Sequence, residues 1–427
     1  MNKIKLDIVD EDLYYEKLDN GLDVYIIRKE DFNLNYACFG TKFGGLDLEF
    51  IPINEKKFVK MPSGIAHFLE HKLFEQRDNT SAMDYYKKTG TTVNAYTNYK
   101  TTKYYFVGTE NFKNNLLYLL DFVQDAYFTD ENVEKEKGII LEEAYMTLDN
   151  PDRLFNEEIM KNLYNSIPYD KKVIGEIEDI KSITKEDLYR CYNTFYHPSN
   201  MHLLIVTNED INEIIDLIKE NQSKKNFKLT KIEKKEYIED INVRKKKSII
   251  KGNVMENRFC YSLKIPLSSF NVSKLEVYDY LSIMLGILIG NLSEFNIELK
   301  KDNIIKDDLI FRVSSDDTNN ETYIIVKIYA LTDNYKKVEE LLDKELLKKE
   351  LSKEDFELSK KSIISDLNYY FNSVSGIMNF MKIEYDFYGK IDNESIKIEK
   401  NLNYDNFIKV VNKFNLSNKS IVIMKGK

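Results

Sequence analysis

Two histidines and a glutamate lie close together between Pro62 and Phe74, and they are the residues of this chain best suited to metal chemistry. They are His67, Glu70 and His71, in a chain of 427 residues that has only four histidines. Positions i, i+3 and i+4 of a helix share one face, so a helix here would present two imidazoles and one carboxylate side by side. Two neutral imidazoles one turn apart can bind the same Zn²⁺ ion, and the carboxylate can take a proton from water that the ion activates.

The spacing of these residues is rare enough to be informative. A single histidine on an apolar helix face is most often a core residue, whereas an H-x-x-E-H pentapeptide is expected only about 0.003 times by chance in a chain with so few histidines. Pro62 and Ser63 are suitable residues for the start of this helix. A catalytic zinc ion also needs a third protein ligand and an open position, which must come from elsewhere.

Length, charge and cysteine content limit the possible classes of protein. A chain of 427 residues with 43% hydrophobic residues is expected to form two domains of about 200 residues each. A net charge of −9 argues against nucleic acid or an anionic membrane as a partner. No apolar run is long enough to span a bilayer, and the N-terminal segment lacks the apolar core of a signal peptide. With free thiols expected at Cys38, Cys191 and Cys260, the prediction is a cytoplasmic protein.

The pattern of apolar residues predicts alternating strands and helices in the first half. A turn at Asn20-Gly21 divides two strands within residues 12–28, residues 46–61 are predicted as a connecting loop, and Asn150-Pro151 breaks a helix. The other predicted elements are strands at 35–41, 91–99, 101–108 and 201–207 and helices at 81–89, 112–125, 130–149 and 184–195.

The second half repeats this pattern. The block that begins at Tyr25 parallels the one at Ser248, and the block at Asp130 parallels the one at Lys353, each 223 residues later. A third block, near Thr184, parallels one near Asn403 in the same order. The repeat predicts an α+β fold with two homologous domains of about 210 residues, each a mainly antiparallel sheet packed with helices. The predicted boundaries are a first domain at 1–220, a linker at 221–247 and a second domain at 248–427.

Candidates for the third zinc ligand lie on the helix predicted at 130–149. Glu136 and Glu143 are seven residues apart, so they share one helix face, which also includes two isoleucines. Glu142 lies about 100° away and is a weaker candidate. In the second half, Ser359 and Asp366 occupy the positions that correspond to Glu136 and Glu143, and there is no histidine after His202. The chemistry is therefore predicted in the first half alone.

These residues resemble the inverted-motif zinc peptidases, the family of pitrilysin, insulinase and mitochondrial processing peptidase, and in particular its small two-domain bacterial members. The resemblance implies one Zn²⁺ per chain, with His67, His71 and Glu143 as its ligands and Glu136 as a supporting carboxylate. It assigns Glu70 as the general base. It also implies that the two domains face each other as a clamshell around a chamber suited to short or flexible substrates.

Two further segments carry the resemblance. Asn94, Ala95, Tyr96 and Thr97 are similar to the family's Asn-Ala-x-Thr strand, which implies that they bind the substrate backbone as an added strand. An ordinary hairpin strand is the alternative interpretation of these four residues. The turn at His197 is similar to the one before a core strand of the family, so His197 is predicted to have a structural role and no part in metal binding.

One departure from the family concerns an Arg and a Tyr that many members carry seven residues apart in the second domain. The corresponding segment here, 299–309, has Lys300 and Asp307 instead. The prediction is a zinc metalloendopeptidase acting on peptides or unfolded segments. One alternative is the subunit of a heterodimeric peptide-maturation protease that needs a homologous partner without the zinc motif. A non-catalytic binding subunit is a further alternative, and a homodimer is the other possible assembly.

Overall fold

The computed structural model describes residues 1–78 and 80–426, and it has the predicted α+β composition. These residues form two compact units. The first unit contains residues 1–145, 171–235 and 367–394, and the second contains residues 146–170, 236–366 and 395–427. Each unit therefore draws on both halves of the chain.

The strands are numbered in chain order. They are β1 Asn2–Leu6, β2 Glu11–Lys17, β3 Asp23–Arg28, β4 Asn35–Thr41, β5 Glu49–Ile51, β6 Val59–Lys60, β7 Thr92–Thr97, β8 Thr102–Gly108, β9 Met201–Thr207, β10 Glu233–Lys234, β11 Lys247–Gly252, β12 Arg258–Pro266, β13 Ile310–Asp317, β14 Thr322–Leu331 and β15 Lys419–Gly426.

The helices are numbered in the same way. They are α1 Ile65–Leu73, α2 Ala82–Lys88, α3 Phe112–Val123, α4 Asp130–Thr147, α5 Pro151–Leu163, α6 Ile177–Ser182, α7 Lys185–Phe195, α8 Ile211–Ser223, α9 Lys274–Ile289, α10 Glu294–Lys301, α11 Tyr335–Glu345, α12 Lys353–Tyr370, α13 Val374–Tyr388, α14 Glu394–Asn401 and α15 Tyr404–Lys413.

The first unit is built on a seven-stranded sheet in the order β1-β2-β3-β9-β4-β8-β7. The pair β3–β9 is parallel and the other neighbouring pairs are antiparallel. Every residue of the central strands β4 and β9 is buried, as expected for strands covered on both faces. Strand β7 lies at one edge, so one side of its backbone is not used by this sheet.

The second unit repeats the core of this arrangement. Its five strands lie in the order β11-β15-β12-β14-β13, which corresponds to β3-β9-β4-β8-β7, and its parallel pair is likewise the first. Helices α4 and α12 are both 18 residues long and begin 223 positions apart. The duplication seen in the sequence is therefore also a duplication of topology.

The compact units differ from the predicted domains because each half gives a helix to the other unit. Helix α13 belongs to the first unit and lies against β4 and β9, whereas α5 belongs to the second and lies against β11, β12 and β15. Side chains of β4 alternate between two layers: Ala37 and Phe39 join the core that includes α1 and α3, while Tyr36 faces α13. A sheet with two apolar faces must be packed against other elements on both faces, and in each unit the helix from the other half packs against one of them. The boundaries at 220 and 248 thus do not coincide with the compact units.

Short strands lie in two segments predicted as connections, and one of these predictions needs correction. Residues 46–61 are not only a loop, since β5 and β6 lie there and form a small sheet with β10. The predicted linker was expected to hold at most one strand; it holds β10, with the last turn of α8 and the first residue of β11 at its ends. These short pairings carry few apolar residues, so they give little periodic signal.

Two predictions concern thiols and membranes. Cys38, Cys191 and Cys260 are free and buried, as expected, while the compartment stays a prediction. Within residues 1–78 and 80–426, no individual helix combines the length and hydropathy of a membrane span. The bent pair α9 and α10 satisfies that test of length and composition when the two helices are taken together.

Candidate zinc centre and substrate strand

Helix α1, which carries the H-x-x-E-H residues, begins later than predicted. Its N-terminal cap is Gly64 at φ +90°, a left-handed conformation that glycine adopts without strain. A Cβ atom at Gly64 would lie 2.4 Å from the backbone oxygen of Ile174, so close packing also requires glycine here. Ser63 does not cap the helix, because its hydroxyl donates to Asp179 and accepts the backbone N–H of Glu176. Pro62 and Ser63 therefore precede the helix rather than start it.

The two faces of α1 have different neighbours. Phe68, Leu69 and Leu73 are buried in the core of the first unit. The imidazole rings of His67 and His71 lie together, with centroids 4.6 Å apart. The helix thus uses its apolar side for packing and leaves the two imidazoles available on another side, as one helical turn between them requires.

Helix α4 brings two carboxylates to these imidazoles. Glu143 Oε1 lies 3.8 Å from His67 Nε2, and Glu143 Oε2 lies 3.5 Å from His71 Nε2. Glu136 Oε1 lies 3.0 Å from Nδ1 of the His71 ring. Ile140 packs the helix into the core, whereas Ile139 is 46% exposed, so only one of the two isoleucines shares the inward face. The exposed Glu142 lies outside the group.

The arrangement fits a zinc ion. One ligand atom from each of His67, His71 and Glu143 lies within 4.8 Å of the other two. Tetrahedral zinc with bonds of about 2.1 Å separates its ligand atoms by about 3.4 Å, close to the 3.5 and 3.8 Å found here. The contact of His71 Nδ1 with Glu136 directs Nε2 toward Glu143, which is how supporting carboxylates orient zinc-binding imidazoles. Among the described residues, no second group of three such side chains converges in this way.

Glu70, the predicted general base, lies beside this cluster. Its side chain is buried, and Thr97 Oγ1 donates a hydrogen bond to its Oε2 at 2.6 Å. Burial raises the pKa of the Glu70 carboxyl group, with Glu143 adding to the rise and the Thr97 hydrogen bond and His71 opposing it. A carboxylate with a raised pKa is better matched to taking and returning a proton near neutral pH.

The protonation of His71 also depends on these carboxylates. Burial alone would lower the pKa of the His71 imidazole. The hydrogen bond to Glu136 and the negative charges of Glu136, Glu70 and Glu143 outweigh burial, and the pKa is raised. Without a cation the cluster therefore attracts a proton, which is the behaviour expected of a site that holds a positive charge.

The four residues of the predicted substrate strand all lie in β7. This edge strand pairs with β8, with Asn94 opposite Tyr105 and Thr97 opposite Thr102. Thr97 points toward α1, where it contacts Glu70, and Tyr96 points to the other face of the sheet. Ala95 lies two residues before Thr97, so it shares the face of Thr97, and it is buried. Substrate binding by these residues stays a prediction.

The remaining two histidines lie outside the cluster. His197 Nδ1 lies 2.6 Å from Ser199 Oγ and accepts the Ser199 backbone N–H, so it caps a 3-10 turn at Pro198–Asn200. The buried His202 stacks on Tyr385 of α13 at 3.9 Å between ring centroids. Gly40 allows this packing, because a Cβ there would lie 2.5 Å from the His202 ring.

Sequence reasoning missed a buried lysine that joins α1 to α4. Lys72 is fully buried, and its Nζ donates to the Glu75 carboxylate and, at 3.2 Å, to the backbone oxygen of Asn132 in the first turn of α4. A lysine within the apolar sequence F-L-E-H-K-L-F was the available signal, since lysine is almost never fully buried without a partner.

In the second unit, the segment predicted to replace the family's Arg–Tyr pair ends helix α10. Lys300 forms an ion pair with Asp308. Asp307 accepts the backbone N–H of Asp308.

Comparisons with known proteins agree with this geometry. The family profile described as Insulinase (Peptidase family M16) matches residues 60–176, and the one described as Peptidase M16 inactive domain matches residues 182–363. The first match contains the zinc cluster. The second contains most of the second unit, where the sequence predicts no zinc ligands.

Individual relatives carry related names. An uncharacterized zinc protease of Bacillus subtilis, YmfH, is 45% identical over 61% of this chain and 61% of its own length. The human mitochondrial-processing peptidase subunit beta is 27% identical over 47% of this chain and 40% of its own length. The aligned region thus spans less than two thirds of either relative. The crystal structure of a putative M16-like peptidase from Alicyclobacillus acidocaldarius has a TM-score of 0.88 and 28% identity, covering 98% of this chain and 99% of that one.

Proposed function

Because the chain belongs to the insulinase family of peptidases, family M16, we propose that it is a zinc-dependent metalloendopeptidase that hydrolyses peptide bonds in peptides or unfolded segments. The observation that carries this proposal is the convergence of His67, His71 and Glu143, with the Glu70 carboxylate beside them. The names of the relatives, which are zinc proteases and a processing peptidase, support the same reaction class.

The residues divide the work as follows. Zinc, when bound by His67, His71 and Glu143, supplies a Lewis acid that acidifies water and polarises the scissile carbonyl. Glu70 takes a proton from the attacking water and passes it to the leaving amine nitrogen. Glu136 holds the His71 ring in the orientation that ligation needs. Residues Asn94–Thr97 of β7 align the peptide by main-chain hydrogen bonds at the edge of the sheet.

The test of this function combines metal analysis with a cleavage assay. The purified chain is expected to hold about one zinc ion and to cleave a mixed pool of internally quenched peptides, with loss of activity on adding a chelator. Glu70→Gln is expected to keep the zinc and lose cleavage by about 10³-fold or more. Glu110→Gln, a change at an exposed glutamate, serves as the control with unchanged activity. Cleavage by Glu70→Gln at the control rate, or a wild-type chain without zinc, would contradict the proposal.

A second part of the proposal is a partner subunit. The chain has Lys300 and Asp307 where many family members have Arg and Tyr, and Lys300 is already paired with Asp308. The human relative is by its name one subunit of a processing peptidase. We propose a heterodimer in which a homologous subunit without the zinc motif supplies the missing substrate contacts, with a homodimer as the competing assembly.

The partner proposal has a direct kinetic test. The isolated chain is expected to cleave peptides far more slowly than about 1 s⁻¹, and addition of the homologous subunit is expected to restore that rate. Turnover of about 1 s⁻¹ or more by the isolated chain would overturn the requirement for a partner. Zinc binding without turnover under either condition would favour the alternative of a binding subunit.

A cytoplasmic location is part of the same proposal and rests on the free buried thiols.

A further inference from the structure

Helix α13, which the second half of the chain contributes to the first unit, reaches the strand proposed to bind substrate. Lys382 lies near the middle of this helix. Its Nζ lies 5.5, 5.9 and 5.8 Å, respectively, from the ring centroids of three tyrosines, Tyr36, Tyr96 and Tyr105. These tyrosines come from three neighbouring strands, β4, β7 and β8. The lysine therefore lies in an aromatic cage that the sheet forms and the helix fills.

The distances and the surroundings make this cage a set of cation–π contacts. An ammonium group within about 6 Å of an aromatic centroid is attracted to the face of the ring, more strongly when water is partly excluded. Lys382 is neither fully exposed nor fully buried. Among residues 1–78 and 80–426, no carboxylate forms an ion pair with Lys382, and the nearby Asp386 pairs with the buried Lys103 at 2.6 Å. The tyrosine rings are thus the main partners of the Lys382 charge.

One member of the cage is part of the proposed substrate strand. Tyr96 lies in β7 between Ala95 and Thr97, and successive side chains of a strand point to opposite faces. Thr97 contacts Glu70 on the face of α1, and Tyr96 contacts Lys382 on the face of α13. The edge strand is therefore held from both sides, by the helix that carries the zinc motif and by the helix from the other half.

We infer that Lys382 is a positioning residue that fixes β7 through Tyr96 in the conformation that accepts a peptide backbone. An edge strand has a neighbour on one side only, so its order depends on contacts made by its side chains. The inference rests on the proposed function insofar as β7 is the peptide-binding strand. It gives the metal-free half of the chain a role in the site of the first half, since that half supplies Lys382.

The test measures the order of β7 and the binding of substrate separately. Lys382→Leu removes the charge and keeps an apolar side chain, and Lys382→Arg keeps a cation that also stacks on aromatic rings. Lys88→Leu is the matched control, because it makes the same change at an exposed lysine of the same unit. The readouts are hydrogen–deuterium exchange of residues 92–97, bound zinc, and kcat and KM for one internally quenched peptide cleaved by the wild-type chain.

For Lys382→Leu we expect exchange in residues 92–97 to become about fivefold to tenfold faster and KM to rise by a similar factor. Bound zinc, kcat and exchange in the central strand β9 are expected to stay as in the wild type. Lys382→Arg and Lys88→Leu are expected to match the wild type in every readout. A general loss of stability would instead accelerate exchange in β9 as well.

Three results would overturn the inference. They are unchanged exchange in β7 for Lys382→Leu, faster exchange in β7 and β9 together, and failure of Lys382→Arg to restore order. The exchange experiment needs no catalytic activity. A wild-type chain that cleaves no peptide would therefore count against the proposed function, whereas the exchange of residues 92–97 decides the role of Lys382 in ordering the strand.

Discussion

Three carboxylates of the candidate zinc site are predicted to have different functions, because each has a different neighbour. Glu143 is 43% exposed and lies between two imidazole nitrogens, which suits a ligand that a cation must reach from solvent. Glu136 is more enclosed and contacts the far side of the His71 ring. Glu70 is buried against Thr97. These neighbours support the proposed roles of Glu143 as a ligand, Glu136 as an orienting group and Glu70 as a proton carrier.

Replacement of Glu143 tests the assignment of the third ligand. Glu143→Ala is expected to lower zinc affinity by at least about 100-fold, because two imidazoles alone leave the ion without its third protein ligand. Glu142→Ala is the matched control one residue away, on an exposed part of α4, and is expected to retain about one zinc per chain. The measurement is competition with a chromophoric chelator. The opposite result would assign the ligand to Glu142.

The environment of His202 disfavours protonation of its imidazole. Neither ring nitrogen has a hydrogen-bond partner among the described residues, and the ring is buried between the sheet and α13. Burial, together with the nearby charges of Lys103 and Lys42, holds the pKa of His202 well below its usual value. The folded protein therefore keeps this imidazole neutral at a pH where the unfolded chain would protonate it.

This difference predicts a loss of stability in acid. The unfolded chain binds a proton at His202 below about pH 6.5 and the folded chain does not, so acid favours unfolding by up to about 1.4 kcal/mol per pH unit. His202→Leu removes that contribution, and its free energy of unfolding is expected to fall less steeply than that of the wild type between pH 7 and 5. Urea unfolding at several pH values checks this. The other histidines are the same in both proteins, so their contributions cancel in the comparison. Parallel curves of unfolding free energy against pH for the two proteins would contradict the prediction.

At the scale of elements, the zinc site depends on the register between α1 and α4. The two helices carry all three predicted ligands, and the buried Lys72 links them through the Asn132 backbone oxygen. Asn132 lies one turn before Glu136, and Glu143 follows two turns later on the same face. The Lys72 hydrogen bond thus joins α1 to the first turn of α4, and we expect it to help set the positions of both glutamates further along that helix.

Lys72→Met is expected to weaken zinc binding by about tenfold, within the range observed when groups that orient metal ligands are lost. The methionine can fill the apolar space but donates no hydrogen bond to the Asn132 oxygen or to Glu75. Lys135→Met, at an exposed lysine of α4, is the control and should bind zinc like the wild type. Equal zinc affinity in the two variants would show that the α1–α4 register does not depend on Lys72.

At the scale of the whole molecule, the two halves of the chain do not form separate compact units, because each half contributes a helix to the unit formed mainly by the other. The first unit needs α13, of which Val374, Ile377, Met378, Phe380, Met381 and Tyr385 are among the buried residues. At roughly 1.5–3 kcal/mol for each buried apolar side chain, their burial contributes on the order of 10 kcal/mol. That is comparable with the entire net stability of a typical domain, about 5–15 kcal/mol.

A chain truncated to residues 1–220 is therefore expected not to fold cooperatively by itself. It would expose the face of β4 and β9 that α13 covers. Mixing it with residues 221–427 is expected to restore a cooperative thermal transition, monitored by near-ultraviolet circular dichroism. A cooperative transition of residues 1–220 alone, near the melting temperature of the full chain, would show that the predicted domain is independent of the exchanged helix.

Local features of the site were determined by the sequence itself. The placement of His67, Glu70 and His71 on one face follows from helical periodicity, which depends only on residues within one turn. The family resemblance, which the family profiles confirm, and the α+β fold also followed from local patterns and from the internal repeat. The helix predicted at 130–149 limited the candidates for the third ligand to a few glutamates. Its periodicity placed both Glu136 and Glu143 on the inward face and did not choose between them.

Only the tertiary structure decided which atoms meet. Glu143 approaches both imidazoles while Glu136 contacts the other nitrogen of His71, because the packing of α4 on α1 sets their distances. The hydrogen bond from Thr97 to Glu70, the link through Lys72 and the cage around Lys382 join residues far apart in the chain. Such contacts depend on how elements pack, and the pattern of apolar residues within one element carries no information about its partner. For the same reason, the sequence did not predict that α5 packs in the second unit and α13 in the first.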